Sequence, residues 1–187
     1  MKQGPFFTGV FVATWLAAAS CVDPVHQSEV NALGPEAAGV SPGPTHRPGQ
    51  PCLTCHGGSG PGDPTFVTAG TVYLNSYTAG TTSYAPLVGG DVHLVDANGL
   101  TYDATTNAVG NFYVTTDDWS PTFPLGNTPA DSGIAAQPLD ISVAATMGGT
   151  DTTPMTTAIE RGGVYASCAY CHFDPPGPTS PGHVYQQ

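Results

Sequence analysis

Two pentapeptides constrain this chain more than any other feature: Cys52-Leu-Thr-Cys55-His56 and Cys168-Ala-Tyr-Cys171-His172. Each reads C-x-x-C-H, the spacing at which two thiols can add to the vinyl groups of one haem while the next residue ligates its iron. Two thioether bonds hold the chain along one porphyrin edge, and a His directly after the second Cys lands over the metal, where an imidazole nitrogen binds as the proximal ligand. With five Cys and six His in 187 residues, chance supplies roughly 0.004 such pentapeptides per chain.

Other uses of four cysteines stay open at this level. A zinc ribbon also needs two C-x-x-C pairs, usually about 15–20 residues apart; here 112 residues lie between Cys55 and Cys168. A disulfide framework or a redox-active C-x-x-C fits an exported chain, but neither accounts for a His repeated after each pair.

The N-terminus points to export. Lys2 precedes an apolar run from Phe6 to Ala19, too short for a comfortable membrane span and suited to a signal h-region. Ala18-Ala19-Ser20 then lead into Cys21, which resembles a bacterial lipoprotein signal and implies lipidation of Cys21 as the mature N-terminus. Ala18 stands where that family prefers Leu, so cleavage near Ala19 or Ser20 is the competing reading. Cys21 is also the odd cysteine once both C-x-x-C-H pairs are counted. Residues 1–20 are therefore read as a signal peptide, and the product as a periplasmic, outer-membrane or cell-surface lipoprotein of a bacterium. Covalent haem attachment of this type also takes place outside the bacterial cytoplasm.

The formal net charge is −11, and beyond Lys2 the only strong cations are Arg47 and Arg161. Such a surface is a poor partner for nucleic acid. It would be steered toward basic redox partners, or the charge serves solubility alone.

Residues 21–45, dense in Pro and Gly, read as a flexible tether from the membrane anchor, with His26 a bystander. Residues 46–65 form the first haem-binding segment, with prolines and glycines around the motif and little helix. His46, six residues before Cys52, is a candidate distal iron ligand.

Residues 66–146 alternate apolar and polar positions in short runs. Val72 and Leu74 alternate with Thr71 and Tyr73; Val92 and Leu94 share a face opposite His93 and Val95. Turns at Asp96–Gly99 and Asn107–Gly110 lead into further short runs, and Leu139, Ile141, Val143 and Ala145 alternate later. This predicts a mainly β fold, a small antiparallel β-sandwich flanked by loop-rich haem segments. Val92, Leu94, Thr106, Gly110 and Phe112 resemble the carboxypeptidase regulatory-like (transthyretin-like) sandwich over roughly 80 residues, which implies a packing module without catalytic residues. His93 falls on the less apolar face and ranks below His46 as a ligand. Residues 117–136 are expected to form a long connection that walls a haem.

Residues 147–187 are the second haem-binding segment. Met147 and Met155 precede Cys168, and His183 follows His172 by eleven residues. Met155 or His183 is the candidate distal ligand of the second iron, with methionine as core filler the plainer alternative.

Taken whole, the chain resembles an exported diheme c-type cytochrome lipoprotein. That resemblance rests on Cys52, Cys55, His56, Cys168, Cys171 and His172, with His56 and His172 the proximal iron ligands, and it implies two covalent haem c groups, electron transfer and redox partners. A diheme peroxidase, which needs an open iron, and a redox-sensing or docking module are the other classes.

Overall fold

The computed structural model describes residues 23–125 and 157–186, with the backbone of strand Asp140–Val143 between them. The expected signal segment, Cys21, Met147, Met155 and most of the 117–136 connection lie outside the described residues.

Asp23 caps the first helix, α1 (Pro24–Ala32), through a side-chain oxygen that accepts from the Val25 N–H at 2.9 Å, and Pro24 opens its first turn. These are start signals of a helix. They correct the expected tether: its described part folds back on the body, because Arg47 donates to the carbonyls of Leu33 and Gly34 just past α1 and pairs with Glu36 at 3.1 Å. Helix α2 (Leu53–His56) is a single turn inside the first motif.

Among the described residues, six strands follow the alternating pattern or are recruited to it. β1 (Phe66–Tyr73), β2 (Gly90–Val95), β3 (Thr101–Thr105), β4 (Asn111–Thr115) and β5 (Asp140–Val143) fall where the alternation predicts strands; β6 (Val184–Tyr185) does not. They form two three-stranded sheets, ordered β4-β1-β6 and β3-β2-β5. The first is mixed rather than antiparallel, since β6 runs parallel to β1 through Val72↔Val184 and Tyr73↔Tyr185. Among the described residues there is no closed barrel, and helix takes a larger share than a mainly β reading expects.

The core draws on both sheets. Val72, Phe112 and Val114 of the first pack with Val92, Leu94 and Ala104 of the second and with Leu87 between strands. The two turns are held by their own side chains. Asp96 accepts from the N–H groups of Asn98 and Leu100, and Asn107 from those of Val109 and Asn111, the Asx geometry that makes such residues turn formers.

β1 is the hub. It is buried on both faces from Val67 to Val72, central in its sheet, and the surface on which the second motif rests. Past it, the chain forms a 3-10 turn (Gly163–Ala166) and one turn of helix, α3 (Cys168–Cys171).

Candidate functional site

The two motifs lie on opposite sides of 111 intervening residues in sequence and meet in space. Leu53 of the first, Ala166 just before the second and Ala69 of β1 form one buried cluster, each 0% exposed, with Cys52, Phe66, Phe123 and Ile159 packed against it. Phe123 thus brings the described part of the 117–136 connection onto the motifs.

In the first motif, one turn of helix places Leu53 inward and His56 against the body. The His56 ring stacks on Phe66 at 4.2 Å and 10°, and Phe66 stacks on Tyr113. His56 Nδ1 lies 2.8 Å from the Pro64 carbonyl. A carbonyl only accepts, so Nδ1 carries the proton and Nε2 keeps its lone pair. Gly62 lets the loop close over this ring: a Cβ there would stand 2.7 Å from the imidazole.

His46 faces the same space. Its ring centroid is 5.9 Å from that of His56, at 47°. Two imidazoles on either side of one metal, each bonded at about 2 Å, put their centroids roughly 6 Å apart. His46 Nδ1 accepts from the Gly43 N–H at 3.3 Å and lies 4.0 Å from Glu36 Oε2. Both histidines and Cys52 open into a cleft of about 370 Å³ walled by Pro42, Pro44, Pro61, Pro64, Phe66, Phe112 and Tyr113. A smaller adjoining space of about 200 Å³ reaches Cys55, Leu33 and Arg47. Apolar walls with a few convergent polar groups are what a cofactor cleft requires.

The second motif hangs on β1. Ser167 bridges Ala69 in parallel, and Thr68 Oγ1 donates to the Ala166 carbonyl at 2.7 Å. Gly70 of β1 clears room for Cys168, whose Sγ would be 2.5 Å from any Cβ added there. His172 Nδ1 lies 3.0 Å from the Gly182 carbonyl, the same arrangement as His56 with Pro64. Burial lowers the pKa of His172, partly offset by that carbonyl, and so favours the neutral imidazole that ligates metals.

The segment after His172 is closed by Ser180, whose Oγ donates to the Phe173 carbonyl at 2.6 Å and accepts from the N–H groups of Phe173 and Gly182. Around it the surface is aromatic: Tyr165, Tyr170 and Phe173 are exposed, and Arg161 covers the Tyr165 ring at 3.8 Å.

Burial pushes the Cys52 thiol up to about 11 and the Cys168 thiol up to about 12, the latter with a further contribution from Cys52 nearby. Burial also raises Cys55, opposed by Arg47. Thiols held protonated suit poorly the thiolate chemistry of a redox-exchange pair, and Cys52, Cys55, Cys168 and Cys171 are all free. Among the described residues no three His, Cys, Asp or Glu side chains converge as a protein-only metal site would need. A haem iron takes four ligands from the porphyrin and asks the chain only for axial ones.

His183 is placed otherwise than a distal ligand. Its Nδ1 meets Asp174 Oδ2 at 2.6 Å, its Nε2 meets the Asn75 carbonyl at 2.8 Å, and Tyr73 and Tyr84 pack on its ring. His93 pairs with Asp103 across β2 and β3 at 2.5 Å. Sequence reasoning missed the two main-chain carbonyls, Phe66, and the clearances at Gly62 and Gly70; only the glycines after the first motif hinted at close packing. No family model, curated protein or solved structure matches this chain.

Proposed function

We propose that this chain carries two covalently attached haem c groups and passes electrons between redox proteins outside the cytoplasm. The observation that carries the reading is the shared geometry of the motif histidines. Each follows a C-x-x-C turn and gives its Nδ1 proton to a main-chain carbonyl, at 2.8 Å for His56 and 3.0 Å for His172. Outer-sphere acceptors of this kind fix the tautomer and orient Nε2 for a metal.

At the first motif the residues fit the group. Cys52 and Cys55 would hold the first haem, with His56 as the proximal ligand and the proline-lined cleft as its wall. Cys168, Cys171 and His172 would hold the second. His46 would serve the same iron once its proton sits on Nδ1, which means giving up the Gly43 N–H contact for the Glu36 carboxylate 4.0 Å away. When bound, each iron supplies a one-electron couple; the chain contributes ligands, apolar walls and exclusion of water. The two sheets act as a small sandwich, in line with the regulatory-like resemblance, and hold the two motifs together at β1. Lipidation of Cys21 would tie the protein to a membrane surface, and the acidic surface would favour basic redox partners.

The test is a count. Protein matured in a host competent for c-haem attachment should keep two haems after acid–acetone extraction. Paired Cys52→Ser and Cys55→Ser changes should remove one, and Cys168→Ser with Cys171→Ser the other. Bound zinc with no Soret absorption would overturn the reading. For the anchor, Cys21→Ala should move the protein from the membrane fraction to the soluble one; unchanged fractionation would overturn lipidation.

A further inference from the structure

β4 alternates cleanly. Phe112 and Val114 are buried in the core, so Tyr113 between them points outward and is 39% exposed. Across the ladder, the register of β1 against β4 shifts between Phe66 and Thr68, an irregularity of the kind that re-aims a side chain. The Phe66 ring stacks on Tyr113 at 4.9 Å and 18°, and on His56 at 4.2 Å and 10°. Three rings thus run from the proposed proximal ligand of the first haem to an exposed phenol on the rim of the first cleft, which Phe66, Tyr113 and His56 all line.

The rest of that rim is apolar and preformed. Pro42, Pro44, Pro61 and Pro64 line the cleft and are exposed. Proline has a fixed φ and no N–H to satisfy, so a partner seated on these rings orders little and leaves few donors unpaired.

The charge around the rim has one sign. Among the described residues lining the cleft, Asp63 is the one carboxylate and none is Lys or Arg. The Thr116 N–H donates to the Thr65 carbonyl at 3.1 Å, which brings Asp117 and Asp118 to the end of the β1–β4 pair that carries Asp63 and Pro64. All three carboxylates are on exposed residues. Among the described residues no Arg or His pairs with them: Arg47 is turned to Glu36, and Arg161 lies over Tyr165.

We propose that this end of the β1–β4 pair is the docking face for a basic redox protein, which sets an exposed cofactor edge against Tyr113 and the proline rim and its Lys or Arg side chains against Asp63, Asp117 and Asp118. This rests on the reading of the first motif as a haem site, and it gives that haem's traffic a place on the surface. One electron passes between the first haem and the partner's cofactor, and no bond is made or broken. Tunnelling falls off more steeply across empty space than through packed atoms, so the stack from His56 to Tyr113 favours exchange at this face.

The test uses the full-length, haem-loaded protein and a small lysine-rich c-type cytochrome as the probe partner, with exchange followed by stopped flow in whichever direction is downhill. The parent's second-order rate should fall as salt rises. Asp63→Lys with Asp117→Lys should slow exchange about tenfold at low salt and converge on the parent at high salt. Tyr113→Ala should slow it several-fold at every salt concentration, whereas Tyr113→Phe, which keeps the ring, should not. Haem count by mass and both midpoint potentials should be unchanged in these variants, which separates docking from damage to the site. Tyr165→Lys, on the other exposed aromatic patch, should stay within about twofold of the parent. The same slowing by the Asp63 and Asp117 changes should persist on a Cys168→Ser, Cys171→Ser background, where the first haem alone remains. Parent rates in both the charge-reversed and the Tyr113→Ala proteins would overturn the proposal, as would slowing confined to Tyr165→Lys or salt-independent exchange by the parent. Absence of covalent haem by mass is a separate failure, that of the haem reading itself.

Discussion

Asp96 shows how much a single side chain carries in this fold. It is 1% exposed, and its carboxylate accepts from Asn98 N–H at 2.8 Å, Leu100 N–H at 2.9 Å and Thr122 N–H at 3.0 Å. Burial alone would raise its pKa, but the main-chain donors outweigh burial and hold it below the ordinary carboxylate value. Its stabilisation is therefore complete above the unfolded pKa of about 3.9 and is lost as pH falls through the lower folded value. Asp96→Asn should cost about 1–3 kcal/mol at neutral pH. Urea midpoints measured from pH 7 down to pH 3 should show the variant losing less stability on acidification than the parent. At Gly70 the constraint is space. Gly70→Ala places a methyl 2.5 Å from Cys168 Sγ, and overpacking of this kind costs about 1–3 kcal/mol. Thermal unfolding should register that loss, and haem attachment should fall at the second motif while the first is retained.

Elements were legible where their periodicity was their own. Val92 and Leu94 mark β2 because alternation is a local signal, and both are fully buried. β6 has no such signal. Val184 and Tyr185 are strand only because β1 offers them a parallel edge, a tertiary cause that composition hides. α1 was obscured by the Pro and Gly around it, although its Asp23-Pro24 start was present. In the site, the C-x-x-C-H repeats were plain and His46 was within reach of its motif by chain length alone. Pro64 and Gly182 were not, because what they supply is a main-chain oxygen common to every residue. Arg47 carries the element-scale prediction. It joins the end of α1 to the first motif through Leu33, Gly34, Glu36 and Gln50. Arg47→Ala should release α1, so that hydrogen exchange of amides 26–34 accelerates while protection in β1 and β2 is kept.

At the scale of the molecule, the motifs share one buried cluster, so damage to that cluster should be felt at both. Leu53 belongs to the first motif yet packs on Ala166 beside the second. Leu53→Ala should cost about 2–5 kcal/mol, read from denaturant midpoints, and hydrogen exchange should speed up at residues 163–172 as well as around Cys52. A purely local effect near residue 53 would contradict this packing. The pairing of β6 with β1 bears on the order of events in time. Val72 meets Val184 across more than a hundred residues, and Thr68 reaches Ala166 over a separation of 98. Contacts that distant along the chain close late, since loop closure must be paid for before they contribute. β1 can pair with β4 early, whereas the seam that shuts over Cys168 waits until residue 184 has been made and delivered. Until then Cys168 stays reachable, so that if the second motif takes a haem as proposed, attachment there would come first and closure afterwards.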